Sequence, residues 1–193
     1  MTETIKRLQE VVIFDLEATC DDKSLVFNFD NETIEIGAVK IVDYEIIDEF
    51  SAFIKPRDTS ITSFCTELTT ITAADVAGAS DFLTVLHDFG QFTGNAKILS
   101  WGKYDQKQLA KDFLRHHTEP PKWLSRHINL KSEFATFKGV RMCGMRRALA
   151  YCDIPLEGIH HRGIDDARNI AKIYLHMRKE LDPYYSVKQK GKK

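Results

Sequence analysis

A chain of 193 residues with 43% hydrophobic and 28% charged side chains has the size and composition of one globular domain with a substantial core. Its net charge of −1 argues against a surface that holds nucleic acid by overall basicity, although local basic residues or bound divalent ions can offset a carboxylate cluster. No apolar run is long enough to span a bilayer and no signal-peptide segment opens the chain. Cys20, Cys65, Cys143 and Cys152 form no C-x-x-C pair or zinc spacing, so a reduced, cytoplasmic protein is expected.

The first predicted element is the apolar run Val11-Val12-Ile13-Phe14, which continues as Asp15-Leu16-Glu17-Ala18-Thr19-Cys20. Side chains two apart on a strand share a face, so Asp15 and Glu17 stand side by side. Carboxylates that close raise each other's pKa unless a cation sits between them, and such an oxygen pair suits Mg²⁺ or Mn²⁺. A solvated strand end would also tolerate the pair. After the polar stretch 21–31, strands are predicted over 33–42 and 46–54, making an antiparallel meander with the first. Pro56 ends it.

Short helical pieces follow over 60–68 and 72–77. Ser80 is an N-cap candidate for a helix over 81–92, with Phe82, Val85, Leu86 and Phe89 on one face. Gly94-Asn95 stops that helix, and 96–101 reads as a buried strand. The remainder is helical over 105–116, 129–137, 142–152 and 164–181, with Pro120-Pro121 as a break. This order implies an α/β domain, a central mixed β-sheet flanked by α-helices. A single domain over 1–182 and a basic C-terminal tail over 183–193 are expected. The tail is either a solvated end or an electrostatic arm.

Asp105 falls in the first turn of a helix, where a carboxylate can serve as a cap or as a ligand. The run His160-His161-Arg162-Gly163-Ile164-Asp165-Asp166 places imidazoles before a helix and carboxylates in its first turn. Spacing permits His160 with Asp165 or His161 with Asp166. Helix phase favours the second, because Asp166 shares the face of Ile170, Ile173 and Met177, and a core-facing acid needs a partner. Asp165 lies with Asn169, Lys172 and His176 on a face that looks solvated, so Asp165 and His160 are expected to be peripheral.

In order, Asp15 with Glu17, then Asp105, then His161 with Asp166 resemble the motifs of DEDD-type 3′→5′ exonucleases of the histidine-containing subgroup. Phe14-Asp15-Leu16-Glu17-Ala18-Thr19-Cys20 looks like the Eri-1/3′hExo branch. So do Ile34-Glu35-Ile36-Gly37-Ala38-Val39, the run from Phe64 to Thr72 and the run from Gly163 to Ala171. Thr70 stands where that branch usually has glycine, and Trp101 precedes Asp105 by four residues where some members carry an adjacent aromatic.

The resemblance covers about residues 10–180 and implies a ribonuclease H-like fold. It implies two Mg²⁺ or Mn²⁺ ions about 3.5–4 Å apart in the substrate-bound state, held by Asp15, Glu17, Asp105 and Asp166. His161 would be the general base, its ordinary pKa of about 6.5 suiting that work. A single-stranded RNA or DNA with a free 3′ end, RNA favoured, would yield nucleoside 5′-monophosphates. The terminal nucleotide would sit by Ala18, stacking on Phe64 and Leu68, with Trp101 a further candidate. Two other readings remain: a haloacid-dehalogenase-like phosphatase using Asp15-Leu16-Glu17-Ala18-Thr19 with Ser100, Lys131 and Asp165-Asp166, and a catalytically silent nucleic-acid-binding module. Glu17 in place of a second Asp departs from the phosphatase loop, which also leaves Asp105 and His161 without roles.

Overall fold

The computed structural model describes residues 10–22 and 30–181; the basic tail and most of the predicted loop over 21–31 lie outside them. β1 (Glu10–Ala18) is apolar on both faces from Val11 to Phe14, and all four residues are buried. That double burial suits a central strand. β2 (Thr33–Val42) pairs with it antiparallel, and β3 (Glu45–Phe53) continues the meander through the two-residue turn Asp43-Tyr44. Both turn residues have positive φ, as a tight hairpin with the right twist requires. β4 (Lys97–Ser100) lies parallel on the other side of β1, and β5 (Ile128–Asn129) lies parallel to β4. The order β3-β2-β1-β4-β5 is the expected mixed sheet.

The helices are α1 (Ser63–Thr69), α2 (Ala73–Ala77), α3 (Phe82–Thr93), α4 (Tyr104–Arg115), α5 (Leu130–Lys138), α6 (Met145–Tyr151) and α7 (Gly163–Leu181). Alternation along β1 assigns them to layers. Val12, Phe14 and Leu16 pack with Phe82, Leu86 and Phe89 of α3 and Leu109 and Phe113 of α4. Val11 and Ile13 pack with Phe134, Leu149 and the α7 stripe Ile170, Ile173, Tyr174 and Met177. Each such apolar side chain contributes about 1.5–3 kcal/mol on burial, which seats α7 against the sheet. Asp15 and Glu17 continue the Val11–Ile13 row, so they point to the α7 side.

Several boundaries differ from expectation. Asp81, rather than Ser80, caps α3 by accepting from the Thr84 amide at 2.9 Å. The helix expected over 142–152 starts at Met145, after the extended Gly144. β5 and a 3₁₀ turn (Lys122–Arg126) were not foreseen, because two strand residues carry no periodicity. Thr70 takes the left-handed conformation at φ 66° as the C-cap of α1. A β-branched residue is strained there, which explains why glycine suits the position.

Candidate active site

The C-terminal ends of β1 and β4, the start of α4, the loop before α6 and the start of α7 surround a cavity of about 400 Å³. Asp15, Glu17, Asp105, Asp166, His160 and His161 all line it. Carboxylate oxygens of Asp15, Glu17 and Asp166 lie within 4.8 Å of one another. Glu17, Asp105 and Asp166 are buried, and among the described residues no Lys or Arg forms an ion pair with any of these three or with Asp15; the partner of Asp166 is the His160 imidazole.

The electrostatics follow. Burial, then Asp105, Glu17, Asp166 and Glu35, raise the Asp15 pKa well above the ordinary carboxylate range. Burial and the neighbouring acids Asp166, Glu35 and Asp105 push Glu17 up to about 8, against a smaller opposing effect of Arg162. Burial raises Asp105 to about 6 even though the Ser100 hydroxyl and two backbone amides favour its charged form. A cation between these oxygens would remove the conflict.

Long-range contacts position α7. Glu35, 1% exposed, accepts from Arg162 Nε at 3.2 Å and Nη2 at 3.0 Å and from the Gly163 amide at 2.9 Å. Glu35 sits opposite Glu17 in the β1–β2 register, so the same pair of strands supports a ligand candidate and the anchor of the next motif.

The histidine arrangement differs from expectation. His160, expected to be peripheral, places its Nδ1 at 2.9 Å from Asp166 Oδ2, whereas His161 contributes its backbone amide at 3.1 Å. His161 has φ 65°, and this left-handed twist turns its ring back over its neighbour. The two rings stack with centroids 4.0 Å apart. The His161 ring makes no hydrogen bond among the described residues and faces the cavity. Burial, then the adjacent His160, lower its pKa, with Asp166 opposing.

The other face of α7 also departs from the solvated reading. Asn169 is buried and donates to the Glu157 carbonyl at 2.7 Å, so it clasps the preceding loop. Asp165 accepts from the Ile159 amide at 2.9 Å.

Among the expected nucleotide contacts, Ala18, Leu68 and Trp101 line the cavity and Phe64 does not. Trp101 spends its indole N–H on the Cys143 carbonyl at 3.0 Å and packs against Phe134. Sequence reasoning missed Tyr104, which lines the cavity and is 53% exposed. Its signal was present: an aromatic directly before Asp105. Asn31, Cys20 and Met145, also in the lining, had no such marker. Lys131 and Ser100 are absent from it, so the phosphatase reading lacks two of its groups at the cavity.

The RNase_T family model, described as Exonuclease, matches residues 12–174. The chain is 30% identical to "Probable 3'-5' exonuclease KapD" of Bacillus subtilis, over 93% of this chain and 89% of that protein. The nuclease domain of 3′hExo, a DEDDh family member bound to rAMP, superposes with a TM-score of 0.84 at 27% identity, covering 90% of this chain and 94% of that one. A 3′-exonuclease structure concerned with 3′-end recognition of the histone mRNA stem-loop gives a TM-score of 0.85 at 26% identity. It covers 90% of this chain, which spans 65% of that longer one.

Proposed function

The chain belongs to the RNase_T exonuclease family, in the DEDDh group and its Eri-1/3′hExo branch, and is a 3′-5′ exonuclease with that family's dependence on divalent metal. From that premise we propose that it removes nucleoside 5′-monophosphates from the 3′ end of single-stranded nucleic acid, RNA in preference to DNA, in a site loaded with two Mg²⁺ or Mn²⁺ ions. The observation that carries this is the convergence of the Asp15, Glu17 and Asp166 oxygens within 4.8 Å at a cavity that also holds Asp105 and an unengaged imidazole.

The residues fit the metals. An all-oxygen, buried and like-charged donor set suits a hard divalent cation, which would relieve the burial and mutual repulsion that raise Asp15 and Glu17 above the ordinary carboxylate range. Asp15, Glu17 and Asp166 would hold the ions, with Asp105 assisting. Bound there, the ions supply an activated water and charge stabilisation for attacking and leaving oxygens.

The chain's own groups do the rest. His161 takes the proton of the attacking water: burial and His160 favour its neutral form, and its ring nitrogens have no hydrogen-bond partner among the described residues while His160 is committed to Asp166. His160 holds Asp166 in orientation. Tyr104, Leu68 and Trp101 form a wall on which a terminal base packs, a contact of about 1–3 kcal/mol that tolerates any base. Such a wall needs an unpaired base, which favours single strands.

The test is 5′-labelled single-stranded RNA and DNA incubated with Mn²⁺, with EDTA, and with the Asp15→Asn variant. Expected is a ladder shortening from the 3′ end, faster on RNA, and absent in EDTA and in the variant. Intact oligonucleotides with Mn²⁺ would refute the reading.

A further inference from the structure

We propose that the strand feeding the cavity is held by a basic lip formed by Arg141, in the loop before α6, and by Arg146 and Arg147 on α6. The inference rests on the exonuclease reading and deepens it by assigning the path of the phosphate backbone.

Charge is unevenly divided along the chain. Residues 101–152 carry 11 Lys and Arg and 4 Asp and Glu, although the whole chain is at −1. Of those four acids, Asp105, Asp112 and Glu133 are buried, so the surface of this half is more basic than its count.

Pairing separates the lip from other arginines. Arg57, Arg115, Arg162 and Arg168 are each within salt-bridge distance of a carboxylate. Arg141 and Arg146 are exposed and have no hydrogen-bond or ion-pair partner among the described residues. Among the described residues Arg147 engages Tyr151, with its guanidinium carbon 5.6 Å from the ring centroid and its Nη2 donating to the hydroxyl at 3.3 Å. An unpaired guanidinium keeps its planar donor fork available for phosphate.

The lip also stands at the right place. Gly144 and Met145, between Arg141 and Arg146, line the cavity. The loop is pinned there by the Trp101 indole on the Cys143 carbonyl. Arg146 is close enough to His161 to act on its charge. Met142, 62% exposed, adds an apolar surface on the same loop for a base of the incoming strand. Elsewhere the lining is flanked in sequence by acids: Asp21 and Asp22 follow Cys20, and Glu67 precedes Leu68. A polyanion approaching the cavity is drawn to the arginine segment and away from the acidic ones.

The test measures anisotropy of a 5′-fluorescein single-stranded RNA of about 20 nucleotides in EDTA across a salt series. The variant Arg141→Gln/Arg146→Gln/Arg147→Gln is compared with wild type, with an all-Lys triple variant and with Lys97→Gln at the far end of β4. Three phosphate contacts at about 0.7 each make the log–log salt dependence shallower by about 2 in the Gln variant. Wild type therefore loses about 20-fold more affinity than that variant between about 50 and about 200 mM salt. The Lys triple variant and Lys97→Gln keep the wild-type slope. With Mn²⁺, the Gln variant loses more kcat/KM on the RNA of about 20 nucleotides than on a dinucleotide, which offers the lip one phosphate at most. Equal affinity and equal slope in wild type and the Gln variant would overturn the lip. Failure of wild type to cleave either RNA or dinucleotide would instead overturn the exonuclease reading.

Discussion

Gly37 on β2 and Gly163 at the start of α7 meet backbone to backbone: a Cβ on Gly163 would lie 2.9 Å from the Gly37 amide nitrogen and 3.3 Å from the Asp15 carbonyl oxygen. A Cβ on Gly37 would overlap the Gly163 and Ile164 main chain outright. The contact sets how close the helix carrying Asp166 approaches the strand carrying Asp15.

Gly37→Ala should therefore push the first turn of α7 off the sheet. Overpacking of this kind costs about 1–3 kcal/mol, seen as a lower melting temperature. The displaced carboxylate should lower kcat on single-stranded RNA by about 100-fold, since misplacements near 1 Å have that effect. A folded variant with wild-type kcat would show that the contact does not set the site.

Arg162 is the countercharge of Glu35, and its removal strands a buried carboxylate. Arg162→Met should destabilise the fold by about 3–5 kcal/mol in urea titrations. Adding Glu35→Gln should recover part of that loss, because the neutral amide no longer needs a cation. If the double variant is less stable than Arg162→Met alone, the ion pair is not the cause.

Metal-free stability should fall with rising pH on account of Glu17. In the unfolded chain this carboxyl titrates near 4.5, and in the fold at about 8. Below 4.5 both states hold the proton and folding carries no penalty. As pH rises from 4.5 towards about 8 the unfolded chain releases this proton while the fold keeps it, so the folded state is progressively disfavoured, and the penalty levels off once the fold ionises too. In EDTA, Glu17→Gln should melt above wild type at pH 8 and with it at pH 4 (about half a unit below the unfolded value). Mn²⁺ should raise the wild-type melting temperature more than that of the variant. A wild-type protein whose EDTA melts match the variant's throughout would contradict this account.

The two histidines should separate kinetically. His161→Gln should lower kcat by about 10²–10⁴-fold and remove the acidic limb of the pH–rate profile. His160→Gln should act through Asp166, raising the Mn²⁺ concentration for half-maximal activity by about 10–100-fold while retaining that limb. The opposite assignment of effects would make His160 the base.

Much of the fold was legible because strand alternation and helix phase are local properties. The row Val11, Ile13, Asp15, Glu17 follows from a period of two, and Asp166 on the Ile170–Met177 stripe follows from a period near 3.6. The strands 33–42 and 97–100 and most helices could be read in the same way. β5 could not, because its two residues pair only where β4 already lies. Phe64 and Leu68 stand one turn apart on the same face of α1, yet only Leu68 reaches the cavity, because which turn of a helix meets a cavity depends on how the helix packs and not on its period.

The sequence by itself determined that two carboxylates share one face of a central strand, that a third opens a helix with its side chain inward, and that two imidazoles precede it. Tertiary structure decided which groups meet. It put the His160 ring on Asp166 through a left-handed turn at His161, set Tyr104 in the lining of the same cavity as Trp101, and closed Glu35 on Arg162 across 127 positions. Periodicity fixes the face a side chain presents. What lies opposite depends on contacts between residues far apart in the chain, and no local pattern encodes those.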